Sequence, residues 1–233
     1  MIRKKYMLWA VLAMPSFAAS ASELSYTVLD FLRPESSVDA TGVQNSAPGQ
    51  TVRINAHDGE GIGVGGSLAV GERFYFGGSY KSSVVDVTGV ISNPLVTLNI
   101  AGTFDLVQTN LAFGYIRPIG DELDLVAELS YDSTNYDFGS FAGENFDLDD
   151  SGVGARIGLR WNPTPPVELY LFGRHSPVGK AALSQRSLEN DTSLSAGVRW
   201  YFFENLGAGI EYDSSDVGTT TISMRFSFGN LPW

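Results

Sequence analysis

The chain has 233 residues, a formal charge of −11 and no cysteine, which excludes disulfides and cysteine-ligated metal sites. A mean hydropathy of +0.00 excludes a bundle of membrane helices, and 12% aromatic with only 18% charged residues excludes a disordered chain. The 26 glycines and many aromatics are typical of β-rich proteins. No basic face accompanies the acidic balance, so we expect no nucleic-acid partner.

The first 21 residues have the pattern of a secretory signal peptide. A positive n-region (3–5) precedes a short apolar run (7–14) and the small-residue cleavage site Ala19-Ser20-Ala21. The apolar run is far shorter than the roughly 20 residues that a spanning helix needs, so a signal peptide is preferred over an anchor. We predict a leader at 1–21 and a single mature domain at 22–233.

The mature chain is a succession of predicted β-strands. Apolar residues alternate with small or polar residues at a period of two, which indicates strands with two different faces. The first strand, near 24–31, is ambiguous, because Leu24, Tyr26 and Val28 suit the apolar face whereas Leu29 and Phe31 break the alternation. We expect a bulge there. The clearer segments follow at 61–70, 74–80, 107–115, 123–132, 152–161, 167–174, 194–202, 206–213 and 221–228.

The predicted connections between these strands fall into two classes. Short turns are predicted near 71–73, 118–122, 162–166 and 203–205. Longer connections are predicted near 32–59, 82–105, 137–151 and 176–191, with a short one near 214–218. Alternation of short and long connections is typical of the periplasmic turns and external loops of outer-membrane barrels.

Two further features favour a membrane barrel over a soluble sandwich. The opposite face is rich in glycine mixed with charged residues, which suits a narrow lumen. The apolar face ends in aromatic residues, as at membrane interfaces: Tyr131, Trp161, Trp200, Phe202, Tyr212 and Phe228. We predict an all-β, transmembrane, antiparallel up-and-down β-barrel of ten strands, with eight as the alternative, integral to the bacterial outer membrane.

Four segments make the chain resemble the small outer-membrane β-barrel proteins of the opacity-protein and OmpA-like porin group: 23–26, 65–70, 125–131 and 224–228. The resemblance implies a surface barrel with a structural, adhesive or weakly pore-forming role. It also implies an assembly signal at Phe226 and Phe228, the aromatic end of the last strand. The chain departs from the group after Phe228. Either 229–233 is a short periplasmic tail, which Pro232 favours, or Trp233 is the terminal aromatic.

The predicted lumen carries charges of both signs. Its inward-facing charged residues are expected to be Asp124, Glu128, Arg156, Arg160, Glu168, Arg174, Arg199, Glu211, Asp213 and Arg225. We expect Arg160 to pair with Glu168 across the proline turn, and Glu211 to pair with Arg199 and Arg225 on the neighbouring strands. A barrel of about ten strands has little spare interior, so a closed salt-bridged core is preferred over an ion-selecting constriction. The predicted structural ion-pair residues are Glu128, Arg156, Arg160, Glu168, Arg174, Arg199, Glu211 and Arg225.

Catalytic candidates are few. Nucleophilic or acid–base catalysis on a barrel would use His57 or His175, but adjacent His175 and Ser176 point to opposite faces. The acidic run 147–150 lacks the glutamate that completes a calcium loop, which leaves a solvated loop as the preferred interpretation and a loose divalent-cation site as the alternative. We therefore expect a surface protein without catalytic activity, cofactor or metal, with a small porin as the alternative and a barrel lipid deacylase or protease as the less favoured one.

The expected partners follow from this location. They are outer-membrane lipid and lipopolysaccharide, the barrel assembly machinery with periplasmic chaperones, and an unidentified external ligand. We expect the protein to be a monomer.

Overall fold

The computed structural model describes residues 25–47, 50–92, 97–141, 144–176, 178, 192–214 and 217–228. The predicted signal peptide, the tail 229–233 and most of the connection 176–191 lie outside these residues. The strands are β1 (Val28–Ala47), β2 (Gln50–Val70), β3 (Phe74–Ser92), β4 (Thr97–Pro118), β5 (Leu123–Phe141), β6 (Glu144–Thr164), β7 (Val167–His175), β8 (Thr192–Phe203), β9 (Leu206–Asp213) and β10 (Val217–Ser227).

These ten strands form one closed antiparallel barrel. Each strand pairs with its neighbours in sequence, and β1 pairs with β10 to close the sheet. The ten-strand prediction is confirmed and the eight-strand alternative is wrong. Within the described residues, no helix is long and apolar enough to cross a membrane.

An apolar belt surrounds the barrel. On β6 it runs from Val153 to Trp161 and on β8 from Leu194 to Phe202, nine residues each, with every second side chain pointing outward. This length matches the about 9–11 residues that a transmembrane β-strand needs. Beyond the belt the outward residues are polar and exposed, as at Glu60 and Asp86. A closed barrel with such a belt is an integral outer-membrane protein.

The two ends of the barrel differ. We call the end formed by residues 71–73, 119–122, 165–166 and 204–205 the turn end; its short turns agree with the prediction. We call the other end the extension end, because there the longer strands continue past the shorter ones. In total, β1 to β6 have 19–22 residues each, whereas β7 to β10 have only 8–12.

The predicted long connections at 32–59, 82–105 and 137–151 are therefore largely strand. Beyond the belt both faces meet polar surroundings, so the apolar alternation ends although the backbone ladder continues. The outer part of β1, from 39 to 47, pairs only with β2 among the described strands, and β6 pairs only with β5 from 144 to 154. The outer parts of β1 to β6, which we call the extensions, thus form a partial wall that continues beyond the described ends of β7–β10.

The structure of the first strand differs from the prediction of a bulge. Its register against β10 is continuous from Val28↔Ser227 to Val38↔Val217, so the bulge predicted near its start is absent. The register shifts of β1 lie instead in its pairing with β2, at 37–40 and 44–47. The alternation is regular, but Tyr26 and Val28 are buried in the lumen while Phe31 faces outward.

A labelling experiment tests which end faces the outside. The chain has no cysteine, so single-cysteine variants give unambiguous sites. Asp86 is exposed beyond the belt at the extension end, and Glu72 is exposed in a turn at the other end. On intact cells, a membrane-impermeant maleimide is expected to label Asp86→Cys but not Glu72→Cys, and both after permeabilisation. The opposite pattern on intact cells would reverse the orientation.

Candidate functional site: the lumenal charge network

Glu168 is the centre of the charge network in the lumen. It points inward from β7 and is 1% exposed. Its Oε1 accepts hydrogen bonds from Arg160 Nε at 3.1 Å and Arg199 Nη1 at 2.9 Å, and its Oε2 accepts from the Tyr201 hydroxyl at 2.8 Å. Arg225 Nη1 lies 3.9 Å from the same Oε1. One buried carboxylate therefore serves two arginines directly and a third at longer range, which satisfies both of its oxygens.

The strand register explains which charges meet. Arg199 lies directly opposite Glu168 between β7 and β8, and Arg225 lies directly opposite Asp30 between β10 and β1. Arg225 binds Asp30 through two hydrogen bonds, Nε to Oδ1 at 2.7 Å and Nη2 to Oδ2 at 2.6 Å. This bidentate pair spans the strands that close the barrel.

The expected pairing of Glu211 with Arg199 and Arg225 is wrong. On β9, the residues opposite these arginines are Gly209 and Gly207, so Glu211 lies two and four residues further toward the extension end. Both arginines are instead within reach of carboxylates directly across the strands. Glu211 lines the cavity above them.

A second ion pair lies one layer toward the extension end. Glu128 on β5 pairs with Arg156 on β6, its register partner, through Arg156 Nε and through Nη2 at 2.7 Å. The Tyr75 hydroxyl donates to the same carboxylate. The Arg156 guanidinium also lies over the Phe172 ring, 4.2 Å from its centroid.

The third layer is built around Asp132. Arg174 Nη2 lies 2.7 Å from its Oδ1, Asn110 Nδ2 donates to that oxygen at 2.6 Å, and Ser176 Oγ donates to Oδ2 at 2.7 Å. A Cβ at Gly154 would overlap this carboxylate, so the glycine gives Asp132 room to reach across the strand between. The sequence placed Arg174 in the lumen without identifying its partner.

Tyrosines fill much of the remaining space in the lumen. Tyr26 lies over the Arg160 guanidinium, with 4.2 Å from ring centroid to Cζ, and Tyr170 lies near Arg199 at 5.3 Å. A Cβ at Gly197 would overlap the Tyr170 ring, so this ring lies against bare backbone of the wall. The sequence predicts the inward-facing glycines but not the tyrosine rings that pack against them.

The residues just before β1 turn into the barrel mouth at the turn end. Ser25, Tyr26 and Thr27 are each 7% exposed. The Ser25 carbonyl accepts hydrogen bonds from Arg160 Nη1 and Nη2 at 3.4 and 3.3 Å, and the Tyr26 hydroxyl donates to Asp124 Oδ2 at 2.9 Å. We call Ser25–Thr27 the N-terminal segment; through the Ser25 carbonyl and the Tyr26 hydroxyl it joins the same network as Glu168.

The lumen above this network is a cavity of about 310 Å³. Its charges balance: the lining holds the cations Lys81, Arg156, Arg160, Arg174, Arg199 and Arg225, and the anions Asp30, Glu128, Asp132, Glu168, Glu211 and Asp213.

Of the sequence's other chemical candidates, His175 and Ser176 have described side chains, whereas the side chain of His57 lies outside the described part of the structure. In the part of the chain that the structure describes, no cluster of acidic residues and histidines suits a metal ion. His175 is exposed, and Ser176 is buried against Asp132. The histidine therefore faces away from the serine beside it.

Comparison with known proteins identifies no family. No protein-family model matches the chain, and no curated protein matches it in sequence. Among solved structures it is similar to the translocator domain of the autotransporter NalP from Neisseria meningitidis, at 15% identity and a TM-score of 0.47, covering 86% of this chain and 87% of that one.

Two other solved structures illustrate the same likeness. The outer membrane protein OprG from Pseudomonas aeruginosa is 8% identical with a TM-score of 0.44, over 88% of this chain and 97% of that one. Ail, the attachment invasion locus protein of Yersinia pestis, is 12% identical with a TM-score of 0.36, over 87% and 100%. At these identities and scores, the likeness carries no inference about function.

Proposed function

We propose that the protein is a non-enzymatic surface barrel of the outer membrane whose lumen is closed in the resting state. The observation that carries this proposal is the layer around Glu168. Glu168, Asp124, Tyr201 and Val126 are each no more than 2% exposed, although they lie inside a tube whose ends face two aqueous compartments. The near-complete burial of these side chains from both ends supports a lumen without a water path at their level.

The same geometry argues against catalysis. The carboxylates of Glu168, Glu128 and Asp132 are each bound to an arginine, and an arginine cannot exchange protons at physiological pH. The exposed His175 faces away from Ser176, the buried serine beside it. These groups hold the barrel wall together and are poorly placed to transfer a proton or attack a substrate.

The contact with the outside is proposed to lie at the extension end. There β1 to β6 rise beyond the apolar belt and present polar residues such as Glu60, Asp86 and Asp105. Adhesion or another interaction role would use this wall, and lipopolysaccharide would surround its base. The resemblance to the opacity-protein and OmpA-like group supports this role, with assembly through Phe226 and Phe228 and a monomeric barrel.

Conductance distinguishes this proposal from its alternative, a small porin. The purified protein, reconstituted into a planar lipid bilayer, is expected to show no steady conductance, because the Glu168 layer blocks the lumen. A general porin inserted under the same conditions is the positive control. A stable native conductance of porin size would overturn the closed state and establish the channel alternative.

A further inference from the structure

We propose that Ser25 and Tyr26, the first two residues of the N-terminal segment, are a removable plug, and that the barrel holds a latent path for small ions that opens when they leave. This inference rests on the closed resting state proposed above. It goes further by assigning the closure to one movable element and by giving the protein a gated transport function.

Ser25 and Tyr26 are not part of the barrel wall, whereas Thr27 is tied to it, because its carbonyl accepts a hydrogen bond from the Phe228 backbone N–H at 2.8 Å and its Oγ1 accepts one from the Ala69 N–H. The ladders of β1 begin at Val28, which is opposite Ser227 on β10 and Ser67 on β2. Ser25 and Tyr26 are held by side-chain bonds: Arg160 to the Ser25 carbonyl, Tyr26 to Asp124, and Ser67 Oγ to the Tyr26 carbonyl at 2.7 Å. Withdrawing these two residues breaks no ladder bond, so the barrel remains closed as a sheet.

Tyr26 fills a gap that the wall cannot fill by itself. The long charged side chains of this level come from β6, β7, β8 and β10, on one side of the lumen. The opposite side carries the shorter apolar residues Ala69, Ile116 and Val126, together with the ring of Tyr75. The Tyr26 ring lies between the two sides, over Arg160 and 5.2 Å from the Tyr75 ring. Removing it leaves a space beside the short residues.

The wall offers its own partners once the plug is out. Asp124 and Arg160 lie directly opposite each other between β5 and β6. With the plug in place, Tyr26 binds the Asp124 carboxylate and covers the Arg160 guanidinium. With it out, the two charges can bind each other. Because neither charge is left buried without a partner, the open state avoids the main free-energy cost of disrupting the network. Asp124 and Arg160 therefore have bonded partners both with the plug in place and with the plug withdrawn.

The test is ion flux through three purified, folded variants in planar bilayers. Tyr26→Ala is expected to show stepwise channel openings that the native protein lacks. Tyr26→Phe keeps the ring and is expected to stay closed. Tyr115→Ala is the matched control, because Tyr115 is a tyrosine near the same end that packs against Phe74 on the outward face; it is expected to stay closed.

A variant lacking Ser25 and Tyr26 provides a second, independent opening. It is expected to conduct like Tyr26→Ala, since both remove the tyrosine ring from the lumen. Folded Tyr26→Ala and deletion variants that are as impermeable as the native protein would overturn the plug while leaving the closed resting state intact. Steady conductance of the native protein would instead overturn the closed state itself, so the two failures are distinguishable.

Discussion

Replacing Glu168 with glutamine is expected to lower the free energy of unfolding by about 3–5 kcal/mol, the cost of removing one partner from a buried ion pair. Arg160 and Arg199 would both lose their carboxylate, and Tyr201 would lose a charged acceptor. Arg225 would keep Asp30. The measurement is urea unfolding of the barrel in phospholipid vesicles, followed by the fluorescence of its tryptophans, among them Trp161 and Trp200 in the apolar belt.

The matched control for this experiment is Glu204→Gln. Glu204 lies exposed in the turn between β8 and β9, so the same chemical change there is expected to alter stability by less than about 0.5 kcal/mol. Equal effects of the two substitutions would show that Glu168 is not buried in a charge network.

Placing an arginine on the lipid face is expected to cost about 2–4 kcal/mol near the bilayer midplane. Val198 lies at the centre of the belt on β8, between Leu194 and Phe202, and Leu159 lies in the belt on β6, between Ile157 and Trp161. Val198→Arg and Leu159→Arg are therefore expected to lower stability by this amount in the same vesicle assay. The physical cause is the transfer of a guanidinium into hydrocarbon.

Asp86→Arg serves as the control for the lipid face. It puts an arginine on an outward position beyond the belt, where the side chain meets water, and it is expected to change stability by less than about 1 kcal/mol. Should Val198→Arg be as harmless as Asp86→Arg, the assignment of inward and outward faces on β8 would have to be exchanged.

The sequence is most informative where lipid and lumen differ most. Between Val153 and Trp161 the outward residues must be apolar and the inward ones must be polar or small, so the alternation predicts both the strand and its faces. Beyond the belt this requirement ends. The extensions of β1 to β6 therefore looked like loops, because a strand with two polar faces has no periodic signal.

The prediction for the first strand was wrong for a different reason. Tyr26 and Val28 count as apolar residues, yet they lie in the lumen. There the Tyr26 hydroxyl binds Asp124 and the face of its ring packs against Arg160. A tyrosine satisfies a polar interior as well as an interface, so its type alone does not reveal its side of the wall.

It was easier to predict which charged residues lie in the lumen than to predict which of them pair with each other. Parity is sufficient to place Arg199, Arg225 and Glu211 in the lumen, but partners are chosen by register, and a shift of two residues moves a charge by about 7 Å along the strand. Asp30 was missed because its strand was ambiguous, and Asp132 because its contact with Arg174 skips a strand. A register for β1 against β10 would have identified the first of these.

The Arg225–Asp30 pair has a consequence for how the chain reaches its native state. Its two residues are 195 positions apart, whereas every other strand pairing of the barrel joins neighbours in sequence. Local hairpins form early, and a contact between the two ends of the chain must wait for the loop-closure entropy to be paid. Until this salt bridge joins the first strand to the last, the nascent sheet presents two unpaired edges that can recruit other chains. Pairing of β1 with β10 therefore removes the last two unpaired strand edges of the barrel.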